Sequence, residues 1–183
     1  MTHEEETKTI STDEARKAIE AMSRRVGLLH LCYARRLVRE LGEERGRKLI
    51  NQAIWDYGTE VGKATRKRVE DLGLEPTLAN MGAGSDLSPI GFDHQRVNVG
   101  GEFRIQSLNC VLADVWREYS EEELGQLYCL VDPAKMQAYD PELTLVHTKR
   151  IPLGDEYCEL AVRQLTDEHD EISAQENKEE TAK

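Results

Sequence analysis

The chain has 183 residues, 24 Lys and Arg against 35 Asp and Glu, and a formal net charge of −11. That length suffices for one domain with its own hydrophobic core, and the acidic balance sets the chain against nucleic-acid backbones and anionic membrane surfaces. The opening residues carry neither a basic nor an apolar leader region and no stretch is long and apolar enough for a membrane span, so the expected location is cytoplasmic.

Residues 1–10 and 167–183 are charged and nearly free of large apolar groups, and both are expected to be disordered tails around one α+β domain over 11–166. Ser11 followed by Glu14 predicts a capping box. Ile19, Met22, Val26, Leu29, Cys32 and Tyr33 then recur at helical spacing, which marks them as a core-facing stripe ending near Gly42. Cys32 on that stripe reads as core packing, and His30 beside it as a surface or hydrogen-bonded residue. A second helix starts near Glu43, with Leu49, Ile50, Ala53, Ile54, Tyr57, Val61 and Ala64 on one face, and stops near Gly73 and Pro76. Residues 11–73 are thus predicted to form a helical hairpin.

Residues 76–100 hold four glycines and two prolines without an apolar period and read as a long loop. From Glu102, Phe103 and Ile105 alternate with Arg104 and Gln106 as in a half-buried strand. Asn109 is positioned to cap a helix carrying Leu112, Val115, Trp116 and Tyr119, with Cys110 in its first turn. A short helix after Ser120 leads to the apolar run Leu127–Val131, which reads as a buried strand, and Asp132 before Pro133 is placed like an N-cap. Residues 143–150 and 157–165 read as a β-hairpin around Leu153, Gly154 and Asp155. The predicted fold is therefore α+β: a helical hairpin packed on a unit of strand, two helices, strand, helix and β-hairpin spanning 101–166.

All four cysteines, Cys32, Cys110, Cys129 and Cys158, are expected to be thiols, because they are widely spaced in a chain without an export signal. A thiol at a helix N-terminus, as predicted for Cys110, has its pKa lowered by the unpaired amides there. Cys129 and Asp132 are three apart, close enough for the carboxylate to take or return a proton, and Cys158 on a neighbouring strand can face them. The same thiols with His147 can instead form a Cys3His zinc site, although no CxxC knuckle is present. Apolar packing of the cysteines and simple capping by Asp132 is the third possibility.

The runs NCVLADVW, EEELGQLYCLVD and YDPELTLVHTKRIPLGDEYCELAV, with AIWDYGTEVGKA in the helical pair, resemble the L-2-amino-thiazoline-4-carboxylic acid hydrolase-like family over residues 12 to 165. The matching features are Cys110; Tyr128, Cys129 and Asp132; Asp140 and Pro141; and Gly154, Asp155 and Cys158. Val111 stands where members often carry proline. The spacing is more distantly similar to 4-vinyl reductase-type binding domains and to the Cys-x-x-Asp of alkylmercury lyases. The resemblance implies a small-molecule substrate, a thiazoline-type carboxylate whose C2 takes up water while the ring C–S bond opens to a carbamoyl thiol. On this reading Cys129 attacks C2 or protonates the departing sulfur, and Asp132 activates Cys129 or water. Cys110 and Cys158 complete the catalytic set, and Tyr128, His147, Arg104, Lys149 or Arg150 bind substrate, the cations through its carboxylate. No cofactor is required, with zinc as the alternative in a non-catalytic binding module, and a homo-oligomer is compatible with the sequence.

Overall fold

The computed structural model describes residues 9–165, so the two expected disordered tails lie almost wholly outside the described residues. Helix α1 (Thr12–Leu41) opens with the expected capping box: Ser11 Oγ accepts the Glu14 amide at 3.2 Å and Glu14 Oε2 accepts the Ser11 amide at 2.9 Å. Gly42, at φ +81°, ends α1 and starts helix α2 (Glu43–Asp71). A left-handed φ at this reversal favours glycine, which lets two long helices meet through one residue.

The remaining elements are strand β1 (His94–Val99), strand β2 (Glu102–Ser107), helix α3 (Val111–Glu118), the short helix α4 (Glu122–Gly125), helix α5 (Val131–Tyr139), strand β3 (Leu143–Lys149) and strand β4 (Cys158–Gln164). The strands form one antiparallel sheet in the order β1-β2-β4-β3, and with the helices make the α+β fold expected from the sequence. The β3–β4 hairpin falls where the apolar alternation predicted it, with a 3-10 turn at Ile151–Leu153 and Gly154 at φ +98° in its connection.

Three expectations are corrected. The first is the orientation of α1: the buried residues are Gly27, His30, Leu31 and Ala34, while Met22, Val26, Leu29, Cys32 and Tyr33 are exposed. The reason is close packing against α3. Trp116 is fully buried and its indole Nε1 donates to the Gly27 carbonyl at 3.3 Å. A Cβ on Gly27 would stand 3.4 Å from the Leu112 Cα, so the face with small residues turns inward.

The second correction concerns Leu127–Val131. Residues Gln126–Leu130 form a 3-10 turn that runs directly into α5, so a helical connection replaces the expected strand. A run of four or five apolar residues does not distinguish a buried strand from a buried helical turn. Asp132 is consequently inside the first turn of α5 instead of at its N-cap, and Asn109 yields the cap of α3 to Cys110.

The third correction lies in the long loop, which contains two 3-10 turns and strand β1. Gly100 and Gly101, at φ +62° and +89°, make the two-residue turn that pairs β1 with β2, and Asn98 Oδ1 accepts the Gly101 amide at 2.9 Å. An edge strand with polar side chains lacks the apolar alternation that would reveal it.

The helical core consists of Leu31, Ala34, Ile50, Ala113, Val115, Trp116 and Leu124, and Cys110, Tyr128, Cys129 and Ile151 pack against it. Helix α5 lies close on α2, where a Cβ on Gly58 would stand 2.7 Å from both the Ala134 Cβ and the Val131 carbonyl. Glycine at that contact fixes the depth at which α5 sits, and with it the height of Asp132.

Candidate active site

Strand register divides the sheet into two faces. Residues opposite one another share a face, so Phe103, Ile105 and Ser107 lie with Cys158, Leu160 and Val162, and His147 pairs with Leu160 on that same side. His94 pairs with Ser107, which pairs with Cys158, forming one row across three strands. Cys158 Sγ accepts the Ile151 amide at 3.3 Å, which ties the start of β4 to the helical core through Ile151.

From the helical side come Cys110, Cys129 and Asp132. Cys110 is the N-cap of α3, and its sulfur accepts the Ala113 amide at 3.4 Å. Cys129 sits in the turn before α5, three residues from Asp132 within a continuous helical path, so both side chains project on related sides. The Asp132 carboxylate is held by Lys135 Nζ at 3.2 Å and lies 3.5 Å from His147 Nε2. The His147 side chain is 5% exposed. Burial alone would raise the Asp132 pKa, but Lys135 and His147 together bring it down to about 2.

The three thiols feel one another, and Cys129 and Cys158 also feel Asp132. Burial pushes Cys110 up to about 11, outweighing the amides of Ala113 and Leu112 that pull the other way. This overturns the expected lowering at the helix N-terminus, because loss of water around the sulfur costs the thiolate more than the helix end returns. Burial also raises Cys129, with Asp132 and Cys110 adding to the effect and Arg150 opposing it. Cys158 is raised by burial too, against the Ile151 amide and Arg150. At neutral pH the cluster therefore holds three neutral thiols beside an ionised carboxylate.

Other residues singled out in the sequence divide between this cluster and elsewhere. Tyr128 is wedged among the rings of His30, Tyr57 and Trp116, at centroid distances of 5.4, 6.2 and 6.5 Å. His30 is buried and its Nε2 has no hydrogen-bond partner among the described residues; burial lowers its pKa against the pull of the Leu124 and Gly125 carbonyls. Arg104 is on the opposite sheet face, bound to Glu159 at 2.6 Å and Glu102 at 2.7 Å, and so is not brought to the cluster. Lys149 is engaged by Tyr157, donating to its hydroxyl at 2.7 Å and lying over its ring. Arg150, which donates to Gln126 at 3.2 Å, is the cation that acts on Cys129 and Cys158.

Two residues enter that the sequence reading passed over. Lys135 stands one helical turn beyond Asp132, a spacing visible in DPAK. His94 stacks on Phe92 and interacts with Asp132 and Lys135, while burial lowers its pKa. Its only sequence signal was the Gly100-Gly101 turn that implies a strand before it. Among the described residues no three His, Cys, Asp or Glu side chains are grouped to hold a metal ion. No described helix is long and apolar enough to cross a membrane.

The fold is that of a small α+β protein in which the carboxylate of an Asp132–His147 pair acts electrostatically on Cys129 and Cys158. The model of the L-2-amino-thiazoline-4-carboxylic acid hydrolase family matches residues 20–162, and the chain belongs to that family. No curated protein and no solved structure matches the chain. The family name points to a hydrolase of the thiazoline carboxylate kind.

Proposed function

We propose that this protein opens the ring of a 2-amino-thiazoline-4-carboxylate-like substrate, with Asp132 and His147 moving the proton and the thiols shaping the pocket. The observation that carries this reading is the Asp132–His147 contact at 3.5 Å, with the half-buried Cys129 and the buried Cys158 close enough to act on the same carboxylate. A carboxylate held ionised by Lys135 orients the imidazole, which is what a general base next to a reacting water requires.

In this scheme His147 takes a proton as the water oxygen attaches to C2 of the ring. The C2–S bond then breaks, its electron pair going to sulfur, and the imidazolium returns the proton to that sulfur. The other hydrogen of the water ends on the ring nitrogen, so the product is a carbamoyl group and a free thiol. Neutral thiols suit this role: Cys129 offers an S–H to the departing sulfur, whereas a resident thiolate would repel it. Arg150 and His94, flanking the cluster, receive the substrate carboxylate in place of Arg104 and Lys149.

Purified protein supplied with L-2-amino-thiazoline-4-carboxylate should release the carbamoyl thiol, detected by mass. Asp132→Asn and His147→Gln should each lower kcat by about a hundredfold or more. An inert wild-type protein rejects the substrate class, and unchanged turnover in both variants rejects the proton-moving pair. Unaltered turnover in Cys129→Ala removes that thiol from the reaction.

A further inference from the structure

Arg150 is half-buried, and among the described residues no carboxylate forms an ion pair with it, whereas Arg104, Arg163 and Lys135 each have one. Its guanidinium carries five N–H donors, and among the described residues one of them is engaged, by Gln126 Oε1 at 3.2 Å. A partly buried guanidinium is stabilised by a carboxylate in fork geometry, and here the chain keeps its own carboxylates away. The cation is nonetheless fixed at both ends. The Arg150 amide donates to Asp155 Oδ2 at 2.7 Å, and the Arg150 carbonyl accepts the amides of Leu153 at 3.0 Å and Asp155 at 3.3 Å. Gly154 at φ +98° permits the turn that brings Asp155 back, and Cys158 Sγ takes the next amide, that of Ile151. At the far end, Gln126 opens the 3-10 turn Gln126–Leu130, where residues three apart eclipse one another, so Gln126 and Cys129 lie on the same side. The guanidinium is thereby held beside the cluster, in agreement with its pull on Cys129 and Cys158.

The geometry points to Gln126 and Asp155 as positioning residues that aim Arg150 at the substrate carboxylate and so select a carboxylate-bearing ring over one without it. On the ring-opening reading, from which this follows, Arg150 contacts the substrate and the other two act through it. Gln126 suits the task because its neutral amide oxygen holds one N–H and leaves the charge uncancelled. A carboxylate in its place would satisfy the cation and repel the incoming anion. The Asp155 carboxylate does not cancel the charge in this way, because it is engaged by the backbone amide of Arg150.

The purified full chain should open L-2-amino-thiazoline-4-carboxylate with a kcat/KM about tenfold or more above that for 2-amino-thiazoline without the carboxylate. Gln126→Glu, nearly the same shape, should cut this preference by roughly tenfold, through KM for the carboxylate, with Tm unchanged. Gln126→Ala should cut it less, since the charge stays and only its aim is lost. Asp155→Ala should raise KM for the carboxylate, and Asp155→Asn, whose side-chain oxygen still accepts the Arg150 amide, should restore most of the loss. If Asp155→Ala does not fold, the two Gln126 variants decide. A preference unaltered by Gln126→Glu, or a loss equal for both compounds, overturns the assignment. A wild type that opens both rings equally well overturns it while leaving the ring-opening reading intact, and one that opens neither removes both.

Discussion

The carboxylate of Asp132 and the imidazole of His147 meet at 3.5 Å although they come from the first turn of α5 and the middle of β3. Lys135 completes the contact at 3.2 Å, and the pair lies at the seam where helices and sheet join. Its ionisation is written into stability. A carboxyl lowered from 3.8 to about 2 on folding stabilises the native state above its unfolded value, and this contribution disappears as pH falls through the folded one. The effect is about 2 kcal/mol. Urea unfolding of wild type and Asp132→Asn should therefore diverge most near neutral pH and converge between pH 4 and 2. Parallel curves across that window would show that the carboxylate gains nothing on folding.

Cys32 is exposed, whereas Cys110, Cys129 and Cys158 are wholly or partly buried and have raised pKa values. An electrophile such as iodoacetamide, added at neutral pH, should label Cys32 first and leave the other three until denaturant is added. Peptide mapping by mass distinguishes the sites. Rapid labelling of Cys129 in the native protein would mean that a thiolate is resident there, and would favour direct attack by sulfur over water addition.

Arg104 and Glu159 test the division of the sheet into two faces. Glu159 is almost fully buried and is bonded to Arg104, Gln106 and Thr148, an arrangement in which removing one partner strands the others. Glu159→Ala should lower Tm by roughly 5–10 °C. Arg104→Gln should leave KM for the thiazoline carboxylate unchanged, since its guanidinium sits on the far side from Cys158. A large rise in KM with unchanged Tm would return Arg104 to the binding site.

Local chemistry in the chain was enough to mark the α1 capping box, the reversal at Gly42, the β3–β4 hairpin and the α+β class, because each depends on residues only a few positions apart. It was also enough to mark Cys110, Cys129, Asp132 and Cys158, whose order carries the family resemblance. Four matters were settled only in the folded chain. Which face of α1 is buried followed from the indole of Trp116 and the close approach at Gly27, so the more apolar face lost to the smaller one. Whether Leu127–Val131 is strand or helical turn followed from its continuation into α5. The partners of Asp132 required β3 to be folded against that helix, and the thiol pKa values required the dehydration that only the assembled core imposes. Helix-end electrostatics act over one turn and can be read from neighbours in the chain; burial is a property of everything that surrounds a group, and here it is the stronger influence on Cys110.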